Sequence, residues 1–201
     1  MSVLHRDEIK RRLKTSVDKF KSLVITPLLD ENFDHDAVDL RLGSYFRLPA
    51  MSSVDCMKPY PSDNEKKDNE RKLEAYPELV HKPHGGKDSK LILQPHHSVL
   101  ASTLEYLKMP GDVAGEILTK SSWARVFISI ASAPWIHPFY RGCLTLEITN
   151  LGNVPVELPV GKPIAHLVLM TVEGGDIKTD VDLIEGAYAG AVLPEAPSFK
   201  G

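Results

Sequence analysis

The stretch KSSWAR places Lys120, Ser121, Ser122 and Arg125 within one short segment. Two cations and two hydroxyls so close together suit an anionic ligand, because charge-assisted hydrogen bonds to phosphate are the strong ones. A helix starting there would add free backbone N–H groups. The same Ser-Ser pair also reads as the cap of a helical turn, and these residues alone leave both readings open. Further on, GCLTLEITN sets Leu144, Leu146 and Ile148 against Cys143, Thr145, Glu147 and Thr149 with the two-residue period of a strand. Glu147 is then either a solvated outward residue or a carboxylate lining a pocket and fit to move protons. Between the two, SAPWIHPFYRG has the look of a shaped loop. Its rings can plug the end of a barrel or stack on a base, and His137 reads as structural by itself.

Other chemistries find no support. A zinc deaminase needs H-x-E with P-C-x-x-C, and neither occurs. His96 and His97 are the only adjacent histidines, and on a strand they would face opposite ways. No resident metal site is expected. The sequence has no Walker-type glycine loop and no G-x-S-x-G elbow. A net charge of −3 over 201 residues gives no basic face for nucleic acid. No apolar run is long enough for a membrane helix, and the charged N-terminus lacks a signal-peptide core. Cys56 and Cys143 read as two reduced thiols, and a cytoplasmic location follows from these signals.

The elements that must position these residues are mostly strands. Ile9, Leu13, Val17 and Phe20 predict an amphipathic helix over residues 5–20. SLVITPLLD predicts a short strand and a turn, and DAVDLRLGSYFRL a half-buried strand whose Asp36, Asp39 and Arg41 read as local surface ion pairs. Residues 51–90 are charged and broken by Pro and Gly, an insertion. KLILQPHHSVLASTLEYLKMP, GDVAGEILTK, CLTLEITN, VPVELPV and PIAHLVLMTVEG supply the remaining strands. The expectation is one mainly β domain over 1–201, a barrel or sandwich, with a flexible tail over 186–201.

The ordered series AVDLRLGSYF, LASTLEYLKMPGDVAGEILTKSSWAR and WIHPFYRGCLTLEITNLGNVPVELPVGKPIAHLVL resembles the dCTP deaminase branch of the dUTPase-like superfamily. The resemblance implies a distorted β-barrel or jelly-roll, assembled as a homotrimer with active sites at subunit interfaces. It also implies zinc-independent hydrolysis of dCTP to dUTP and ammonia, with Mg2+ carried on the triphosphate. Lys120 takes the place of a phosphate-binding arginine. Ser121, Ser122 and Arg125, with Trp123 and Ala124 between them, match the element that holds the triphosphate and positions the attacking water. Ala133 matches the small residue beside the base, and Trp135, Ile136 and His137 fall in the sugar-contact segment. Thr145 and Leu146 lead to Glu147, which matches the catalytic general base and acid. Tyr188 matches a residue of the C-terminal segment that closes over the nucleotide.

The chain departs from that pattern at several places. His137 stands where the family has aspartate, Phe139 where it has glycine, Trp135 where it has arginine, and His166 where glutamine is common. Ala187 and Ala191 occupy the lysine and glutamine positions of the closing segment. Two other readings stand beside deamination to dUTP: a bifunctional deaminase and dUTPase giving dUMP and pyrophosphate, and a nucleotide-binding regulator without turnover.

Overall fold

The computed structural model describes residues 2–14, 22–48, 78–82, 85–86, 89–130, 133–173 and 190–195. In chain order these form α1 (Arg6–Lys14), β1 (Val24–Thr26), β2 (Ala37–Leu48), β3 (Glu78–His81), β4 (Lys90–Leu93) and β5 (Ser98–Lys108). There follow β6 (Val113–Thr119), the one-turn helix α2 (Ser121–Ala124), β7 (Ile128–Ile130), β8 (Trp135–Ile136), β9 (Arg141–Asn150), β10 (Val156–Pro159) and β11 (Pro163–Thr171).

Alternation makes the strands and sets their inner side. Val38, Leu40, Leu42 and Phe46 of β2 are sealed, as are Leu146 and Ile148 of β9 and Leu167 and Leu169 of β11. Together they build one core, and Asp39, Arg41, Glu147 and His166 project from the other side of the same strands. The main sheet runs β7-β9-β5-β2-β11-β6-β8, with β1 paired to β5 and β3 to β2. β10 and β4 form a separate antiparallel ribbon.

A side chain closes the curl of this sheet. Thr119 Oγ1, at the end of β6, donates to the Ile130 carbonyl at 3.0 Å and accepts from Ile130 N at 2.8 Å. The β7 edge is thereby tied to a strand near the far edge, giving a half-barrel. This is the mainly β architecture with one N-terminal helix that the sequence pattern predicts.

Helix α1 docks through Ile9, which is fully buried, and through Arg12 Nη1 donating to Asp112 Oδ2 at 2.8 Å. The rest of the predicted helix, 15–20, lies outside the described residues, as do Cys56 and most of the 51–90 insertion. Glu78–His81 within that insertion pairs with β2. His96 and His97 sit in the turn between β4 and β5, not on a strand, and His96 has a left-handed backbone at φ 61°.

Residues 190–195 fall inside the segment expected to be a tail, yet they run along β9. Gly190 N donates to the Arg141 carbonyl at 2.7 Å, and Cys143 N donates to the Ala191 carbonyl at 2.7 Å. Gly142, at φ 141°, lacks the Cβ that would meet the Ala191 carbonyl at 2.8 Å, so the strap can lie this close. Cys143 is a buried free thiol. Among the described residues no helix is long and apolar enough to cross a membrane.

The departure at Phe139 has a packing answer. Its backbone is left-handed at φ 65° and its ring is buried. A Cβ at Gly111 would lie 2.4 Å from the ring, so the ring occupies space that only glycine at 111 leaves open.

Candidate functional site

Lys120 lies between β6 and α2 as the cap residue of the helical turn. Its carbonyl accepts from Trp123 N at 2.9 Å and from Ala124 N at 3.1 Å, and the Trp123 indole donates to the Pro163 carbonyl at 3.0 Å. The half-buried tryptophan thus pins this turn to the start of β11 and leaves Ser121, Ser122, Ala124 and Arg125 exposed. A helical turn forms, but Lys120 caps it without a side-chain bond and the two serines lie within it. A four-residue turn has almost no dipole, so any hold on an anion rests on the side chains.

The Lys120 ammonium does not stand alone. Nζ donates to both Asp39 carboxylate oxygens at 2.6 Å. His166 Nδ1 lies 2.9 Å from Asp39 Oδ1, but it is off line for a hydrogen bond and has no partner. Strand register assembles the three: His166 of β11 faces Asp39 of β2 on one side and Leu118 of β6 on the other.

The expectation of local pairing in DAVDLRLG is therefore corrected. Asp39 pairs with Lys120, and Arg41 pairs with Glu105 of β5, through Nε to Oε1 at 2.6 Å and backbone N to Oε2 at 2.8 Å. Sheet formation separates these charges from their sequence neighbours and offers partners from other strands. Burial pushes the Glu105 carboxyl up from its ordinary range, and the hydrogen bonds from Arg41 oppose that shift.

Glu147 is half-buried in the middle of β9, and its Oε2 accepts from Ala133 N at 3.1 Å. This contact brings together two residues that the sequence reading assigned to one site. β7 positions the donor, because Ile130 pairs with Ile148 and the chain then crosses over Glu147. Trp135 and His137 are exposed, whereas the side chains of Ile136 and Leu146 are sealed in the core, so neither side chain lines an open site. Thr145 Oγ1 accepts from Glu195 N at 3.2 Å and so holds the C-terminal strap. Tyr188 lies outside the described residues.

Two groups emerge: the KSSWAR turn with Asp39 and His166, and Glu147 with Ala133. The Thr119–Ile130 contact links the strands that carry them, because Thr119 precedes Lys120 and Ile130 pairs with Ile148 beside Glu147. Asp39 and Arg47 are the polar residues that site reasoning missed, although strand alternation marks both as outward. Arg47 Nε donates to the Pro194 carbonyl at 2.5 Å and so helps hold the strap.

A family model described as dCTP deaminase-like matches residues 3–172. A protein of Nanoarchaeum equitans named dCTP deaminase, dUMP-forming, is 35% identical over 169 residues, covering 81% of this chain and 82% of that one. A protein of the same name from Methanobrevibacter smithii is 31% identical, covering 86% and 81%. A Haloarcula marismortui protein named dCTP deaminase is 31% identical over 99% of this chain and 95% of its own. The crystal structure of 2'-deoxycytidine 5'-triphosphate deaminase from Agrobacterium tumefaciens superposes with a TM-score of 0.60 at 20% identity. It covers 91% of this chain, which spans about half (52%) of that longer chain, and the likeness is one of fold.

Proposed function

The chain belongs to the dCTP deaminase-like family and is an enzyme of that type, and on that premise we propose that it converts dCTP to dUMP, ammonia and pyrophosphate. The observation that carries this reading is the dUMP-forming name of the relatives matched over about four fifths of their own length. Release of dUTP, which the motifs alone put first, is the less supported product.

In the first step water adds to C4 of the cytosine. Glu147 takes its proton and delivers protons to N3 and to the departing amine, so that dCTP and water give dUTP and ammonia. The Ala133 N–H on Glu147 Oε2 supports this role by fixing the carboxylate. In the second step another water attacks the α-phosphorus and pyrophosphate leaves. Lys120, Arg125, Ser121 and Ser122 hold the triphosphate, because the exposed Arg125 guanidinium and two exposed hydroxyls, beside the part-buried Lys120 ammonium, fit phosphate oxygens.

The substrate is the magnesium complex of the nucleotide. The cations and hydroxyls of the cradle suit a triphosphate that brings its own hydrated Mg2+. The assembly proposed is the homotrimer that the sequence resemblance implies, with active sites at subunit interfaces.

Incubation with MgdCTP followed by anion-exchange chromatography and an ammonia assay tests the reading. Equal amounts of dUMP, ammonia and pyrophosphate are expected. Accumulating dUTP without pyrophosphate returns the protein to simple deamination, and unchanged dCTP defeats the proposal.

A further inference from the structure

Asp39 is in contact with two potential cations at once. Both of its oxygens accept from Lys120 Nζ at 2.6 Å, and Oδ1 is also 2.9 Å from the buried, unpartnered Nδ1 of His166. A buried ring nitrogen beside an engaged carboxylate makes a two-state arrangement. With the ring neutral, Lys120 holds Asp39 alone and the three side chains sum to zero charge. With the ring charged, Nδ1–H turns onto Oδ1, which divides its lone pairs between the ring and Lys120 Nζ, and the sum rises to +1.

The neighbouring charges leave this exchange undisturbed. Arg41, next outward on β2, is committed to Glu105 of β5. Glu116, on the same side of β6, faces Val168 one step further along β11, and β11 itself carries no other titratable residue.

Resting on the phosphate role proposed above for Lys120, we infer that Asp39 and His166 are positioning residues for the triphosphate. Asp39 holds the Lys120 ammonium at the mouth of the KSSWAR turn, and the charge on His166 decides whether that ammonium faces the carboxylate or the phosphates. Glutamine at 166, which the sequence resemblance makes common, keeps a polar side chain without the charge. The charged form adds a positive charge beside the phosphates and competes with Lys120 for Asp39, so nucleotide binding tightens as the pH falls.

The test compares KM and kcat for MgdCTP between the wild-type and His166→Gln proteins from about pH 5.5 to about pH 8.5. Titration of the nucleotide cancels in the ratio. The variant-to-wild-type KM ratio is expected to be roughly five at the acid end, the size of one added charge at a partly exposed site, and near one at the alkaline end. The kcat is expected to stay within about two-fold, because His166 acts through Lys120 on the bound phosphates and not on the proton transfers of Glu147. A KM ratio that stays flat overturns the inference.

Asp39→Asn gives an independent reading. Removing the shared anion flattens the pH dependence of KM even with His166 intact, and a wild-type profile in that variant also overturns the inference. If the wild-type protein does not turn over dCTP, the function proposed above has failed. The cluster is then tested by calorimetric binding of inorganic tripolyphosphate to the same proteins. The same trend in Kd sustains it, and a flat ratio sinks it.

Discussion

Arg41 and Asp39 stand two residues apart on the same side of β2, one in a sealed ion pair and the other in an open cluster. Glu105, the partner of Arg41, is fully buried, both its oxygens are taken by Arg41, and Arg41 Nη2 goes on to the Pro27 carbonyl at 2.8 Å. Asp39 and Lys120 keep partial exposure, and a third titratable group sits against them without a bond. A pair whose carboxylate is buried and bonded at both oxygens can only hold strands together. A pair with a spare partner can change its arrangement when a ligand or a proton arrives. The distinction between scaffold and site thus lies in the completeness of the hydrogen bonding more than in the residue types.

Glu147 and Glu105 give the sharpest form of that contrast. Glu147→Gln is expected to lower ammonia release roughly 10³-fold while leaving nucleotide binding and thermal unfolding unchanged, as loss of a proton shuttle does. An active Gln variant ends the proposed chemistry. Arg41→Met should do the reverse. It strands the Glu105 carboxylate and costs about 3–5 kcal/mol in denaturant unfolding, with KM of the folded protein preserved. A loss under about 1 kcal/mol would mean that the pair is not sealed as described.

Arg125→Ala removes an exposed cation from the cradle. The expected result is nucleotide binding weaker by about 1.5–3 kcal/mol at constant stability. Unchanged calorimetric affinity would remove Arg125 from the phosphate assignment. The smallest effect concerns pH. Hydrogen bonding from Arg11, helped by Arg12, holds the Glu8 carboxyl well down, from the usual 4.5 to about 2. Its contribution to α1 is therefore present above the usual range and lost as pH falls toward 2. Glu105 has the opposite sign: burial raises its carboxyl, so its contribution is greatest in acid and declines as pH rises through the shifted value. Urea unfolding from acid to neutral pH should show a flattened acid limb for Glu8→Gln, and an unaltered limb would show that the Arg11 contact is unimportant.

The strands were legible because alternation is local: Val38, Leu40 and Leu42 already mark the inner side of β2, and Leu144, Leu146 and Ile148 that of β9. The same alternation should have kept the Leu146 side chain out of the site, and the resemblance overrode it. KSSWAR was legible as a polar turn, but its helical part is too short to show a period. The partner of Lys120 was not legible. Asp39 lies 81 residues away, and only the antiparallel order β2-β11-β6 brings the two together. Nor does composition reveal that 190–195 is strapped to β9, because backbone groups make most of those bonds and carry no residue signature.

The Phe139 ring over Gly111 links the loop of aromatic residues to the turn before β6 by shape alone. Each residue is acceptable only while the other stays as it is. Alanine at 111 collides with the ring, and glycine at 139 leaves a void where the ring was buried. The order in which these two positions can change is therefore fixed: the space at 111 must exist before the ring can enter, and the ring must leave before 111 can grow. Two sites nearly thirty positions apart in the chain share a single history, and a swap of either one alone into a relative carries half of a matched pair.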